Sequence, residues 1–253
     1  MTIRAIAGNT FREAIRDRIL YGLLAFALFM IATSLALASL SVGQQERITK
    51  DLGLAAISLI GVLMAVFLGV SLVSREVERR TVYVVLSKPV GREQFVLGKY
   101  LGLAATVGVN VLVMGTGLAL LTAVHGWWDA GVAAAVYLTL LELLLLIGLA
   151  TLFSTFTTPT LSAIFTLGLF VVGHLSGSLR AVTARASSEA IRLLGEALYR
   201  LLPNLEAFNV RGRVAHGEAV GLAEIGAASA YGALYLVAVL ALAVLVFRRR
   251  ELP

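Results

Sequence analysis

The chain has 253 residues, 59% of them hydrophobic and only 14% charged, with a mean hydropathy of +0.91. A soluble domain carries about 25% charged residues, so this chain holds about half the charge that a water-facing surface needs, and a soluble enzyme or binding domain is excluded. The excess of 21 basic over 15 acidic side chains then belongs with cytoplasmic lipid headgroups rather than with nucleic acid.

Residues 1–18 form a leader in which Ile3, Ala7, Phe11 and Ala14 share one face of a helical wheel and Asn9, Arg12, Glu13 and Arg16 the opposite one. That pattern predicts an amphipathic helix lying at the headgroups; a plain charged topology signal is the alternative. Apolar runs long enough to cross a bilayer as helices follow at 19–42, 53–73, 100–124, 131–153, 160–179 and 225–247. Ala36-Leu37-Ala38 resembles a leader cleavage site, but the length of the first run and the acids Glu13 and Asp17 before it predict a retained anchor. The expected fold is an all-α integral membrane protein: one domain over 1–253 with six transmembrane helices, the interfacial leader and an outer helical loop.

The basic residues set the orientation. With the N-terminus inside, Arg4, Arg12, Arg16, Arg18, Arg75, Arg79, Arg80, Lys88, Arg92, Lys99, Arg248, Arg249 and Arg250 face the cytoplasm, 13 of the 21. Of the other 8, Arg180, Arg185, Arg192, Arg200, Arg211 and Arg213 belong to one long outer connection, so the short loops divide 13 to 2. Both termini are therefore expected inside.

The inner loop 74–99 carries six of those basic residues. Glu76 and Arg80 are placed i,i+4 in the order that supports a helix, so the second span is expected to continue inward. Residues 81–87 form a short apolar segment holding Thr81, Tyr83 and Leu86, closed by Pro89, which disfavours helix at Lys88. An apolar element held between charged helices suits the docking of a soluble partner; an ordinary basic loop is the other reading. The second inner loop, 154–159, has no charge, which concentrates partner contact in the first.

The outer connection 180–224 contains Ile191, Leu194, Leu198, Leu201 and Leu202 at helical spacing, followed by Pro203-Asn204. A helix lying on the outer leaflet or dipping back into it fits this pattern, as an external gate or as a lid that packs the helix ends. Glu142 stands mid-span among leucines, where an acid costs roughly 2.5–3.5 kcal/mol and must meet a partner, a cavity or a proton. Asn110 and His174 also lie within spans. All three are candidates for a substrate path or for interhelical polar contact, while His125, Trp127 and Trp128 read as an interfacial belt.

No spacing of the three histidines makes a metal site, and without cysteine there is no thiolate site or disulfide framework. No G-x-x-x-x-G-K-[ST] loop is present, so the chain is not expected to be an enzyme by itself.

The run Ser74-Arg75-Glu76 to Thr81, Leu86-Ser87-Lys88-Pro89-Val90, Arg92 and Phe95-Val96-Leu97-Gly98-Lys99 resembles the first cytoplasmic loop of type 2 ABC exporter permeases. The leader from Asn9 to Arg18 resembles that family's connecting helix. The segment from Leu202 to Arg211 is similar to the outer loop of a subgroup of permeases for multicopper-enzyme maturation, akin to the membrane subunit of the nitrous-oxide-reductase copper-site system. With the six-span layout, the resemblance covers the whole chain.

It implies a homodimer joined to two copies of an ABC ATPase subunit, which would bind ATP and Mg, with no cofactor in this chain. The setting it implies is a bacterial or archaeal inner membrane, with lipid and self as further partners. Residues 81–87 become the coupling element, flanked by Glu76, Arg79, Arg80, Lys88 and Arg92. No copper ligands carry over, since there is no cysteine and the four methionines include the first residue. Two other functions stay open: an ATP-driven mechanotransmitter or scaffold acting on an extracytoplasmic protein, and an ion-coupled secondary carrier using Glu142.

Overall fold

A computed structural model describes residues 2–41, 43–78, 91–184 and 188–249. The helices in chain order are α1 (Thr2–Ile15), α2 (Arg18–Ser39), α3 (Gln45–Glu78), α4 (Arg92–Val124), α5 (Ala130–Ser154), α6 (Pro159–Ala184), α7 (Glu189–Leu201), a 3-10 turn (Leu205–Phe208), α8 (Arg211–Ala215) and α9 (Leu222–Arg249). No strand occurs among the described residues. Six of the helices, α2 to α6 and α9, are long and apolar enough to cross a membrane, so the fold is the all-α membrane bundle that the composition predicts. α1 and the last turn of α9 both lie beside the start of α4, at the end of the bundle called here the terminal end; the opposite end is the distal end.

Local chemistry sets several helix boundaries. The Asp17 carboxylate accepts the Ile19 amide at 3.0 Å and so starts α2, breaking it from α1. Asp129 caps α5 in the same way, accepting the Val132 amide at 3.2 Å. Pro159 opens α6, at a position where its missing N–H would have had no partner. Between α4 and α5 the chain reverses through Gly126, whose φ of +73° suits glycine.

Two helices are longer than their apolar runs. α3 starts at Gln45, not near 53 as hydropathy suggests, because Lys50, which breaks the apolar pattern, is buried against acids rather than left in a loop. α4 has 33 residues, or about 50 Å of helix, against a hydrocarbon thickness of about 30 Å. Its first turns, from Arg92 to Lys99, precede the apolar run that begins near residue 100.

α3 is the central column, touching α2, α4, α5, α6 and α8. Gly53, Gly61 and Gly69 recur every eight residues along it and meet Leu118, Leu143 and Ala150 of α4 and α5, with no room for a Cβ. α1 packs on α4 by the same device. Gly98 lies under Ile3 and Ile6, and Gly102 under Ala7 and Thr10, where a Cβ would come within 2.7 Å of the Ala7 carbonyl. The leader is thus amphipathic as predicted, with Arg4, Asn9, Arg12, Glu13 and Arg16 exposed, but its inner face rests on protein.

Filling the glycine stripe should be costly. A Cβ on Gly69 would stand 2.5 Å from that of Ala150, whereas Gly108 has open space around it. Gly69→Ala is expected to destabilise by about 1–3 kcal/mol, and Gly108→Ala to be neutral or slightly stabilising, by up to about 1 kcal/mol. Thermal unfolding of both in one detergent checks this; equal melting temperatures would contradict the packing described.

Candidate functional site

The distal connection folds back into the bundle. After α7 the chain turns at Pro203-Asn204, and Leu205, Phe208, Val210 and Val214 are all buried. The 3-10 turn lies against α5 and α6, and α8 against α3 and α5. Glycines make the room: a Cβ on Gly173 of α6 would fall 2.7 Å from Leu205 Cγ and 2.8 Å from the Pro203 carbonyl, and one on Gly232 of α9 would fall 3.1 Å from the Phe208 ring.

Polar bonds pin the same segment. The Asn204 amide donates to the Tyr231 hydroxyl at 2.8 Å, and the Ser176 hydroxyl donates to the Gly173 carbonyl at 2.9 Å and to Asn204 Oδ1 at 3.3 Å. The predicted dip of the outer loop is therefore a plug made by the turn and α8. α7 instead packs on α6, where Arg180 pairs with Glu196 at 3.1 Å and lies 4.6 Å over the Tyr199 ring.

Glu142, on α5, is only 3% exposed. Its Oε1 lies 3.4 Å from Nε2 of His174 on α6, within ionic reach but with no well-formed hydrogen bond. His174 Nδ1 is 3.1 Å from the Phe170 carbonyl one turn back, so Nδ1 carries the proton that donates there. In the neutral ring Nε2 is then the lone-pair nitrogen facing Glu142. Asn110 is not part of this arrangement: its amide donates to the Thr106 carbonyl of its own helix at 2.8 Å.

At the distal rim Lys50 is 1% exposed. Its ammonium bonds Glu46 one turn before it, at 2.6 Å, and the Asp129 carboxylate at the start of α5. The i,i+4 spacing of Glu46 and Lys50 was the available sequence signal for this buried ion pair; nothing in the sequence singled out Asp129 as the second acid. Burial alone would raise the Asp129 carboxyl, but the Lys50 hydrogen bond and charge, with the Val132 and Gly131 amides, hold it below its ordinary value.

Of the candidate docking residues, Arg79, Arg80, Thr81, Tyr83, Leu86 and Lys88 fall outside the described residues, as does the whole element 81–87. Glu76 belongs to the end of α3. Arg92, at the start of α4, donates to the carbonyls of Phe247 and Arg248 at the end of α9, at 3.2 and 2.9 Å. Arg248 in turn bonds Glu93 at 3.0 Å, and the Phe95 and Phe247 rings stack at 5.7 Å. Sequence reading missed this clamp, since its members are more than 150 residues apart. Among the described residues no group of three His, Asp or Glu side chains converges as metal ligands.

A bundle of six apolar helices with a re-entrant distal segment defines a multi-pass membrane protein. The sequence profile of the family described as ABC-2 family transporter protein matches residues 4–252, and the chain belongs to that family. It is the membrane permease component of an ABC transporter, a role that implies association with an ABC ATPase subunit and is not itself catalytic. No curated protein matches the chain.

Asp129→Asn keeps an acceptor at the helix cap and removes only the charge. A carboxyl lowered by folding contributes stability that is complete above its ordinary pKa of 3.8 and is lost as pH falls through the lower folded value. Because Asp129 stays partly wetted, the variant should lose only about 1 kcal/mol or less near neutral pH. The gap between the two proteins should close in acid, and thermal melts across that range provide the check.

Proposed function

We propose that this chain is the permease subunit of an exporter-type ABC transporter, working as a homodimer with two ATPase subunits that bind ATP and Mg. In this reading the terminal end faces the cytoplasm of a bacterial or archaeal cell, and residues 81–87, within the loop 74–99, are the coupling element on which the ATPase docks. The observation that carries the proposal is the family match over residues 4–252, supported by the short apolar element 81–87 set among basic residues in the segment that joins α3 to α4. The basic residues of the short loops gather at the terminal end, as they do on cytoplasmic faces.

ATP-driven closure of the ATPase pair would push the coupling elements and tilt the helices of the two permease copies. The plug at the distal end is then the external gate. Tyr83→Glu with Leu86→Glu should abolish co-purification with the ATPase while leaving the melting temperature of the permease unchanged. Undiminished binding would overturn the docking assignment.

A second reading, an ion-coupled carrier, draws on the Glu142–His174 pair, a buried acid within ionic reach of an imidazole on the neighbouring helix. Transport that continues with an ATPase lacking hydrolysis, yet stops in Glu142→Gln, would favour the carrier. Transport that needs hydrolysis and survives Glu142→Gln would favour the ABC permease.

A further inference from the structure

The clamp at the terminal end and the plug at the distal end share one helix. We propose that α9 acts as a rigid rod coupling the first turn of α4 to the seating of the re-entrant plug, with Arg92 as the positioning residue that fastens its inner end. This goes beyond docking and takes from the preceding proposal only the source of the motion, the loop 74–99.

The inner fastening is specific. The last carbonyls of a helix have no amide partners within it and carry its negative end, and Arg92 donates to two of them, those of Phe247 and Arg248. The Arg248–Glu93 pair returns the link, and Phe95 and Phe247, each 1% exposed, stack between. Arg92 opens α4 directly after the segment that joins it to α3, so displacement of the end of that segment acts on Arg92.

The outer fastening is equally specific: the Tyr231 hydroxyl accepts the Asn204 amide at 2.8 Å, and Gly232 receives the Phe208 ring. Between Gly232 and Phe247 the sequence holds no glycine or proline, so nothing in it promotes a kink, and the two fastenings stand about 22 Å apart along the axis.

The middle of α9 packs through apolar contacts. Its buried residues are Ala228, Gly232, Val239, Ala243 and Phe247, and Leu236 fits against Gly148 of α5. These contacts hold the helix as one unit, while the two polar fastenings carry load at its ends. Coupling of this kind is reciprocal.

The test is hydrogen exchange on the full-length chain in lipid nanodiscs. Arg92→Ala should speed exchange at residues 203–209 about two- to thirty-fold while residues 53–69 of α3 stay protected. Reciprocally, Tyr231→Phe should speed exchange at residues 92–96. Unchanged exchange at the far end in either variant, or a uniform rise that includes α3, would overturn the proposal.

In the complex with its ATPase, a reporter at the exposed Glu206, made as Glu206→Cys in this cysteine-free chain, should label with an impermeant maleimide at a nucleotide-dependent rate. Tyr231→Phe, at the fastening remote from the docking residues, should abolish that dependence with the ATPase still bound; persistence of the dependence would overturn the rod. If the ATPase binds neither chain, the preceding proposal fails, and the exchange experiment still decides the rod.

Discussion

Lipid tails are as apolar as leucine, so helices in a bilayer gain nothing by hiding leucines from the solvent around them. Association then depends on close approach and on polar contacts. The glycines of this chain supply the close approach where it is needed. Gly53, Gly61 and Gly69 bring α4 and α5 onto α3, and Gly98 and Gly102 bring the leader onto α4. Gly173 and Gly232 admit the turn that plugs the distal end. At each of these positions a methyl group would have to displace a side chain or a backbone carbonyl, so the contacts specify which helices are neighbours.

The same solvent penalises unpaired polar groups, and several inward-facing ones meet groups that lie far away in sequence. Lys50 meets Asp129, Glu142 meets His174, Ser176 meets Asn204, and Arg92 meets the end of α9. Short-range bonds complete the pattern: the hydroxyls of Thr106, Thr151 and Thr166 each donate to the carbonyl four residues back. The Glu142–His174 pair differs from the others. Its 3.4 Å separation is long for a hydrogen bond, and Glu142 Oε1 has no hydrogen-bond partner among the described residues.

These contacts divide the molecule into a tightly packed middle and two specialised ends. α3 and α5 are mostly buried, whereas α2, α6 and α9 expose broad apolar faces to lipid. One end holds the leader and the Arg92 clamp with the last turn of α9; the other holds the Lys50 pairing and the plug. A transporter driven from one side must carry work between such ends, and α9 is fastened to features of both.

Hydropathy alone determined the number and approximate place of the membrane helices, because about 20 consecutive apolar residues have no stable place outside lipid. The turn at Pro203-Asn204 and the amphipathic leader were legible for similar local reasons: a fixed proline φ and a repeat of 3.6 residues. What the sequence left open is long-range. Lys50 looked like a loop charge, since its second acid, Asp129, is 79 residues away. His174 and Glu142 looked like separate polar residues, and Arg92 looked like part of a basic loop. Only the tertiary structure decided that these groups pair, because pairing depends on which helices approach closely enough to touch, and that is set by glycine contacts between segments whose order along the chain says nothing of their adjacency.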